Sequence, residues 1–395
     1  MEAIDPALGC RGFTAGGTAA GIKKGDMPDL GMIACPDGAA VAGVFTRNTV
    51  RAAPVVLDER RAARGVCRGV IANSGNANCC TGEQGIQDAR AMAAIAGKAL
   101  GVNDREMLVA STGVIGQMLD VSKIESAMPA LAASLAADGF PAFSRAIMTT
   151  DTFPKAEARR VSVGGDSFTV LGVAKGAGMI QPNMATMLCF VCTDIRASSE
   201  ELSGVLAPGV DASFNRISVD GDMSTNDTVL LMAAGKSSLD FGSNRDAFTD
   251  ALNDVLLSLA RAMVRDGEGA TKVVTVEVAG AASGDDANTV AYQIANSPLV
   301  KTAFYGEDAN WGRLIAAAGS TGVPMNPERF DVYFDDVQVA KNGLAVPGIE
   351  AAATTVFKKP EYTVRLVMHM GDGEASVLTC DLSHEYVSIN ADYRT

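Results

Sequence analysis

The sequence predicts a mixed α/β (α+β) protein made of layered sheets and helices. The chain has 395 residues, of which 48% are hydrophobic and 20% charged, enough to bury one or two sizeable cores. Aromatic residues make up only 5% beside 41 glycines, so we expect cores of small aliphatic side chains connected by many tight turns. Apolar segments with the period of a strand and others with the period of a helix occur along the same chain.

Two helices and an intervening strand are predicted in the first half of the chain. A helix is expected from Gly82 to about Gly101, where small apolar residues recur at helical spacing, and a second helix opens with Asp120 as its cap. Between them, a short strand is predicted for MLVASTGVIG, breaking into a turn at Thr112 and Gly113. Functional groups often lie where a strand ends in a loop.

The remaining elements are predicted mainly as strands. We expect a strand ending in a glycine loop for DSFTVLGVAKGAG, a turn for QPNMA, and a buried strand starting at Thr186 for TMLCFVCTD. An amphipathic helix ended by glycine is expected for NRDAFTDALNDVLLSLARAMVRDG, and strands for VVTVEVAG, DVYFDDVQVA and YTVRLVMHM. A smaller unit at roughly 285 to 380 is a candidate second lobe.

The charge and hydropathy of the chain exclude several classes of partner. With a formal net charge of -13, the chain lacks the excess of positive charge that attracts nucleic acid or an anionic membrane surface. Neither is therefore expected as a partner. The N-terminal segment lacks a basic start followed by an apolar stretch, and no window approaches the roughly 18 apolar residues of a membrane span. The protein is therefore expected to be cytoplasmic.

Cysteine and histidine usage argues against metal chemistry. The eight cysteines are expected to be reduced core residues, and Cys189 and Cys192 would point to opposite faces of a strand despite their C-x-x-C spacing. The two histidines, His369 and His384, exclude His-rich metal sites, so no metal is expected. Proton transfers in an enzyme of this composition are expected to rely on a carboxylate, a lysine or an amine.

Three other motifs lack the residues or the spacing of the binding sites that they resemble. No phosphate-binding or dinucleotide pattern is complete in GAGMIQ or in GEGATK, so no cofactor is expected. A calcium loop starting at Asp220 would need glycine where Thr225 stands and glutamate where Leu231 stands.

Thr186 has the setting of a self-cleaving nucleophile. It follows the small Ala185 and a loop with Pro182 and several glycines, so its hydroxyl can attack the preceding carbonyl. Hydrolysis of the resulting ester would leave Thr186 with an α-amine of pKa about 7.7 to 8.0, which can act as the base for its own hydroxyl. On the residues alone, an ordinary threonine at the start of a strand is the favoured interpretation of Thr186.

Motifs along essentially the whole chain resemble the ornithine acetyltransferase (glutamate N-acetyltransferase) family of arginine biosynthesis. The matching motifs are VIANSGNANCCTG, ASTGVIG, MTTDTFPK, KGAGMIQPNMATML, NRISVDGDMSTNDT, RDGEGATK, SPLVKTAFYGEDANWGR and YVSINADYRT. One departure is the pair Cys79 and Cys80, where the family usually has another small residue at one position. The resemblance implies the family's own fold, with layered sheets and helices that resemble N-terminal nucleophile hydrolases in a different topology.

The resemblance also implies a cleavage and a reaction. Cleavage between Ala185 and Thr186 would give an alpha chain, 1–185, and a beta chain, 186–395, which assemble into a heterotetramer. Thr186 would carry the acetyl group of N2-acetyl-L-ornithine to L-glutamate by ping-pong kinetics, and whether acetyl-CoA is also a co-substrate stays open. The alternatives are a self-cleaving amide hydrolase or aminopeptidase of a related group, and an uncleaved structural protein.

Family roles transfer to individual positions of this sequence. The resemblance implies an oxyanion hole at Thr112 and Gly113. Substrate contacts are implied for Thr152, Lys175, Thr186, Glu268, Asn390 and Thr395. Lys175 can pair with a substrate α-carboxylate and Glu268 with the side-chain amine of ornithine. Without the resemblance, Lys175 and Glu268 would be read as solvated surface charges, Thr152 as a turn cap, and Asn390 as a strand-edge residue.

Overall fold

The computed structural model describes residues 1–181 and 187–392 and confirms the mixed α/β class. The chain divides into two compact units. The first comprises Met1–Asn215 and Asp222–Met263, and the second comprises Arg216–Gly221 and the described residues from Val264 onward. The candidate second lobe at 285 to 380 lies within the second unit, which begins earlier along the chain.

The strands are numbered in chain order through the described residues. They are β1 Glu2–Ile4, β2 Thr14–Thr18, β3 Leu30–Phe45, β4 Val66–Asn76, β5 Met107–Val114, β6 Lys155–Val163, β7 Asp166–Lys175, β8 Leu188–Thr193, β9 Ile217–Ser218, β10 Thr228–Ala233, β11 Val273–Ala281, β12 Asp331–Phe334, β13 Val337–Lys341, β14 Leu344–Ala345, β15 Glu361–Val367 and β16 Gly373–Cys380.

The α-helices are numbered in the same way. They are α1 Ala53–Ala62, α2 Gly82–Leu100, α3 Val121–Ala133, α4 Phe140–Ala146, α5 Ser199–Ala212, α6 Arg245–Arg265, α7 Gly284–Asn296, α8 Pro298–Tyr305, α9 Trp311–Gly319, α10 Glu350–Phe357 and α11 His384–Asp392. Within the described ranges, no helix combines the length and the hydropathy needed to cross a bilayer.

The first unit is built on one large sheet. Its strands follow the order β1-β6-β7-β8-β10-β3-β4-β5, and β2 pairs with β3. Two neighbouring pairs, β8 with β10 and β4 with β5, are parallel, whereas the other pairs are antiparallel. Strand β8 therefore lies inside the sheet with a hydrogen-bonded neighbour on each side, as expected for its continuous apolar sequence.

Side chains of β8 alternate between the two faces of the sheet. Leu188, Phe190 and Cys192 belong to one core cluster, which does not include Cys189. This alternation confirms that Cys189 and Cys192 do not share a face. All eight cysteines are free thiols and seven are buried, which agrees with their predicted role as small apolar residues.

The two predicted helices of the first half are confirmed together with their caps. Helix α2 ends at Gly101, which adopts the left-handed conformation with φ 67° that glycine accommodates without strain. Helix α3 begins after Asp120, whose side chain accepts a hydrogen bond from the Ser122 backbone N–H at 3.2 Å. Local sequence signals were sufficient to identify both helices.

The predicted turn at Thr112 and Gly113 is wrong by three residues. Strand β5 continues through both to Val114, and the turn falls at Ile115 and Gly116. Pairing continues because Gly113 lies opposite Gly75 of β4, and a Cβ on Gly113 would lie 2.4 Å from the Gly75 carbonyl carbon. The start predicted for β8, Thr186, lies outside the described residues, and the described strand begins at Leu188.

The second unit has its own sheet, in the order β14-β13-β12-β15-β11-β16-β9. Helix α7 packs against β11 and β16, and its Val290, Ala291 and Ile294 join the core of this unit. The segment DVYFDDVQVA forms a hairpin of β12 and β13, because Asp335 takes a left-handed conformation with φ 47° between them.

Candidate active site

The sheet of the first unit curls so that the ends of β7 and β5 meet. Four strands separate β7 from β5, so a flat sheet would hold them about 24 Å apart. However, Lys175 Nζ at the end of β7 lies 3.4 Å from Thr112 Oγ1 of β5. The register shift in β3 between Ala34 and Ala39 is the type of irregularity that bends a sheet. The curl brings together residues that are far apart in sequence.

Lys175 is a buried cation surrounded by hydroxyl and carboxylate groups. Its side chain is 2% exposed, and Nζ donates a hydrogen bond to Thr149 Oγ1 at 2.7 Å in addition to the longer contact with Thr112. Asp151 Oδ2 lies 3.9 Å from Nζ. Because the Thr112 hydroxyl accepts from the ammonium, its own proton is directed away from Lys175 and can be donated elsewhere.

Asp151 is the carboxylate at the centre of this cluster. Its oxygens accept hydrogen bonds from Lys155 Nζ at 2.7 Å, Gly176 N at 2.7 Å and Thr149 N at 2.9 Å. Burial alone would raise the pKa of Asp151, but the charges of Lys175 and Lys155 outweigh it and lower the pKa to about 2. Two lysines around one ionised carboxylate leave the cluster with an excess positive charge.

Sequence reasoning missed several members of this cluster. Thr149, Asp151 and Lys155 all lie in the motif MTTDTFPK, from which only Thr152 was assigned a function. Thr152 is exposed next to the buried Asp151. The available signal was the local density of polar residues, but the motif alone does not indicate which of them face inward.

A second polar group supports the end of β5. Asn226 is buried, and its side-chain Nδ2 donates hydrogen bonds to the carbonyl oxygens of Ala77 at 2.7 Å and Ser111 at 2.8 Å. The Ser111 hydroxyl in turn donates to Asn73 Oδ1 at 2.6 Å. Asn226 thus links the loop after β4 to the strand that carries Thr112 and fixes the backbone there.

The proposed oxyanion position at Gly113 tolerates only glycine. We expect Gly113→Ala to lower the free energy of unfolding by at least about 3 kcal/mol, because the new Cβ would overlap Gly75 and the φ of 131° is unfavourable for alanine. Gly116→Ala is the matched control: its φ is also positive, but its Cβ would enter open space, so the cost should be about 1 kcal/mol. Thermal unfolding of both variants tests this prediction, and equal losses of unfolding free energy in the two variants would contradict it.

Two further predicted site residues contact each other in the second unit. Glu268 is 8% exposed in the turn after α6, and its Oε2 accepts a hydrogen bond from Asn390 Nδ2 of α11 at 2.7 Å. The same turn is held by Ser383, whose hydroxyl donates to Gly269 O at 2.6 Å. Glu268 therefore does not have the solvated setting that its residue type alone would favour, whereas Asn390 is exposed and lies in a helix rather than at the edge of a strand.

Three of the predicted residues lie outside the described part of the chain. These are Ala185 and Thr186 at the predicted cleavage position and the C-terminal Thr395. Within residues 1–181 and 187–392, no group of three or more histidine, cysteine, aspartate or glutamate side chains is arranged to hold a metal ion.

The fold and these clusters define a mixed α/β protein with a buried lysine–carboxylate centre next to a glycine-containing strand end. The ArgJ family model matches residues 14–395. The chain belongs to the ArgJ family, which confirms the resemblance inferred from the motifs.

Similar proteins match over nearly their whole length. The chain is 50% identical to the arginine biosynthesis bifunctional protein ArgJ of Geobacter sulfurreducens, covering 98% of this chain and 100% of that protein. It is 48% identical to the protein of the same name from Chlorobaculum tepidum, covering 100% and 98%. Because these identities extend over both units, the whole chain is comparable with the relatives.

Two solved structures also share sequence with this chain. The arginine biosynthesis bifunctional protein argJ of Bacillus halodurans is 40% identical and covers 52% of this chain and 98% of its own, with a TM-score of 0.49. The ornithine acetyltransferase of Mycobacterium tuberculosis, solved in complex with ornithine, is 38% identical and covers 46% and 97%, with a TM-score of 0.42.

Proposed function

We propose that the chain is a self-cleaving acetyltransferase of arginine biosynthesis that moves the acetyl group of N2-acetyl-L-ornithine to L-glutamate. The observation that carries this proposal is the buried Lys175 ammonium within 3.4 Å of the Thr112 hydroxyl, in a chain of the ArgJ family. A hydroxyl polarised by a buried cation is suited to stabilise the oxyanion of an acyl-transfer reaction.

The proposed reaction has two halves with Thr186 as the acyl carrier. First, Thr186 Oγ bonds to the acetyl carbon of acetylornithine, the bond from that carbon to N2 breaks, and ornithine leaves after its nitrogen takes the hydroxyl proton. Then the glutamate amine attacks the ester carbon, N-acetylglutamate leaves, and the proton returns to Thr186 Oγ. The α-amine of Thr186 transfers the proton in both halves.

The charges around Lys175 suit both substrates. Acetylornithine and glutamate each carry an α-carboxylate, and the excess positive charge from Lys155 and Lys175 against Asp151 favours an anion there. In this proposal, Lys175 pairs with that carboxylate while Thr112 and Gly113 bind the oxyanion. Thr152, Glu268, Asn390 and Thr395 are proposed as further substrate contacts, with Glu268 taking the side-chain amine of ornithine.

The strand order of the large sheet supports the proposal that the two fragments stay together after cleavage. Strands β8 and β10 follow position 186, and in the sheet they lie between β7 on one side and β3 on the other, both of which precede it. Separating the fragments would break two ladders of hydrogen bonds and expose the apolar core on both faces of β8. We therefore expect 1–185 and 186–395 to copurify.

An end-product assay tests the proposed reaction. The purified protein is incubated with acetylornithine and glutamate, and ornithine, N-acetylglutamate and acetate are quantified. We expect ornithine and N-acetylglutamate in equal amounts with little acetate. Release of acetate and ornithine without N-acetylglutamate would instead identify the amide hydrolase alternative, in which water resolves the acyl-enzyme.

Two additional measurements complete the assay. Intact-mass measurement of the same preparation shows whether one fragment begins at Thr186. Incubation with glutamate and acetyl-CoA, without acetylornithine, shows whether acetyl-CoA serves as a co-substrate.

A further inference from the structure

Asp227 is a buried acid that the family resemblance did not assign. It lies directly before β10 with 0% exposure, next to the start of the parallel strand β8. Its Oδ1 accepts a hydrogen bond from the Met187 backbone N–H at 3.0 Å. Its Oδ2 is also buried but has no hydrogen-bond partner. A buried carboxyl oxygen without a partner costs stability, so its retention requires an explanation.

The surroundings of Asp227 do not compensate for its burial. The side chains of Thr46 and Ser224 lie beside the carboxyl group, but the Thr46 hydroxyl donates its hydrogen to the Ser224 carbonyl oxygen at 2.8 Å. Lys175 is a charged residue that acts on the group. Burial raises the pKa of Asp227 well above its usual value, despite the opposing effects of the Met187 N–H, the two hydroxyl residues and Lys175.

Covalent geometry connects this carboxyl group to the predicted cleavage position. Met187 N, which Asp227 binds, is bonded to the carbonyl carbon of Thr186. In any polypeptide, the backbone nitrogens of consecutive residues are at most about 3.7 Å apart. The nitrogen of Thr186 is the atom that cleavage would convert from a peptide N–H into a free amine. The carboxyl group of Asp227 therefore binds the backbone N–H of the residue that directly follows the proposed N-terminal threonine.

We propose that Asp227 is a positioning residue for the amine that cleavage would free on Thr186, with Oδ1 retaining the Met187 N–H and Oδ2 accepting a hydrogen bond from the new amine. This inference rests on the proposed function. In the reactive form the Asp227 carboxyl group has released its proton to solvent and is ionised, while the amine is neutral. The carboxylate then stabilises the ammonium group that forms when the amine takes the Thr186 hydroxyl proton, as a carboxylate stabilises an imidazolium in a catalytic triad.

The consequence of this pairing is a pH dependence. A carboxylate next to the amine favours the ammonium form and raises the pKa of the amine, whereas the nearby Lys175 opposes it. Asp227→Asn retains the acceptor for Met187 N–H but removes the negative charge. The pKa of the amine should therefore fall, and the acidic limb of the pH–rate profile should move to lower pH.

The experiment compares Asp227→Asn with a matched control. Asp58→Asn also replaces a fully buried acid of the first unit, whose two oxygens both accept from the Val109 backbone N–H. We expect the acidic midpoint of acetyl transfer to fall by at least about one unit in Asp227→Asn. One unit below the wild-type midpoint, the rate relative to its plateau should rise from about a tenth to about a half. The midpoint of Asp58→Asn should remain that of the wild type.

A second measurement distinguishes positioning from a purely structural role. Asp227→Asn is introduced into both the cleaved wild type and the Thr186→Ala chain, where the proposed cleavage cannot occur. We expect the melting temperature to fall several degrees more in the cleaved background, because only that background contains the amine. Equal losses in both backgrounds, including failure of both variants to fold, would overturn the proposal. An unchanged pH midpoint would also overturn it, as would a folded but uncleaved Asp227→Asn single variant.

The wild-type intact mass is measured first. If no fragment begins at Thr186, the proposed function fails before Asp227 is tested. If that fragment is present but the two backgrounds lose equal stability, only the role of Asp227 fails.

Discussion

Thr186→Ala should abolish both cleavage and acetyl transfer. The substitution removes the hydroxyl that attacks the Ala185 carbonyl, so the protein should remain one full-length species by intact-mass measurement. Without the acyl-carrying oxygen, the transfer rate should fall at least about a thousandfold, as when the nucleophile of other acyl-transfer enzymes is removed. Production of N-acetylglutamate from acetylornithine and glutamate measures the second effect.

Thr193→Ala is the matched control for this result. Thr193 is a buried threonine at the end of β8, where its Oγ1 accepts from the Ile195 N–H at 3.3 Å. Its loss should cost about 1 kcal/mol of stability while leaving cleavage intact. Thr186→Ser should still cleave because it retains the hydroxyl. Two fragments from a folded Thr186→Ala protein would disprove the assignment of the nucleophile.

Lys175→Met should cause the second largest loss of activity. The substitution removes the ammonium group next to Thr112 and the proposed partner of the substrate α-carboxylate, while roughly preserving side-chain length. Removing one partner of a buried charged contact costs about 2–5 kcal/mol, so kcat/KM should fall by at least about thirtyfold. Steady-state kinetics with each substrate varied in turn should show a rise in KM for both acetylornithine and glutamate.

The Lys155→Met variant distinguishes the proposed substrate binding by Lys175 from the stabilisation of the Asp151 carboxylate. Lys155 lies closer to Asp151, at 2.7 Å, than Lys175 does at 3.9 Å, and both lysines lower the pKa of that carboxyl group. Lys155→Met should therefore destabilise the fold at least as much as Lys175→Met, with a smaller loss of transfer activity. Equal losses of kcat/KM in the two variants would mean that Lys175 acts only by holding Asp151.

Several features were predictable because they depend on near neighbours in the chain. Gly101 ends α2 because glycine adopts the left-handed conformation required there, and Asp120 caps α3 through a residue two positions ahead. The buried character of β8 follows from its uninterrupted apolar run. Such signals require no knowledge of the three-dimensional fold.

The error at the end of β5 has a non-local cause. The sequence STG is typical of a turn, and Gly113 does adopt a positive φ. The strand stays paired because Gly113 itself lacks a Cβ, which would lie 2.4 Å from the carbonyl carbon of Gly75 on β4. A prediction from either segment alone does not detect that the two glycines face each other.

The sequence by itself determined the α/β class, the helices with their caps, the family, and Lys175 as a candidate binding residue. Only the tertiary structure decided that Lys175 shares a buried cluster with Thr112 and Asp151, and that Asp227 keeps an unpaired oxygen next to the start of β8. The physical reason is that periodicity and capping report contacts within a few residues along the chain. The curl of a sheet and the burial of a charge depend on strands that are distant in sequence, and no local pattern records them.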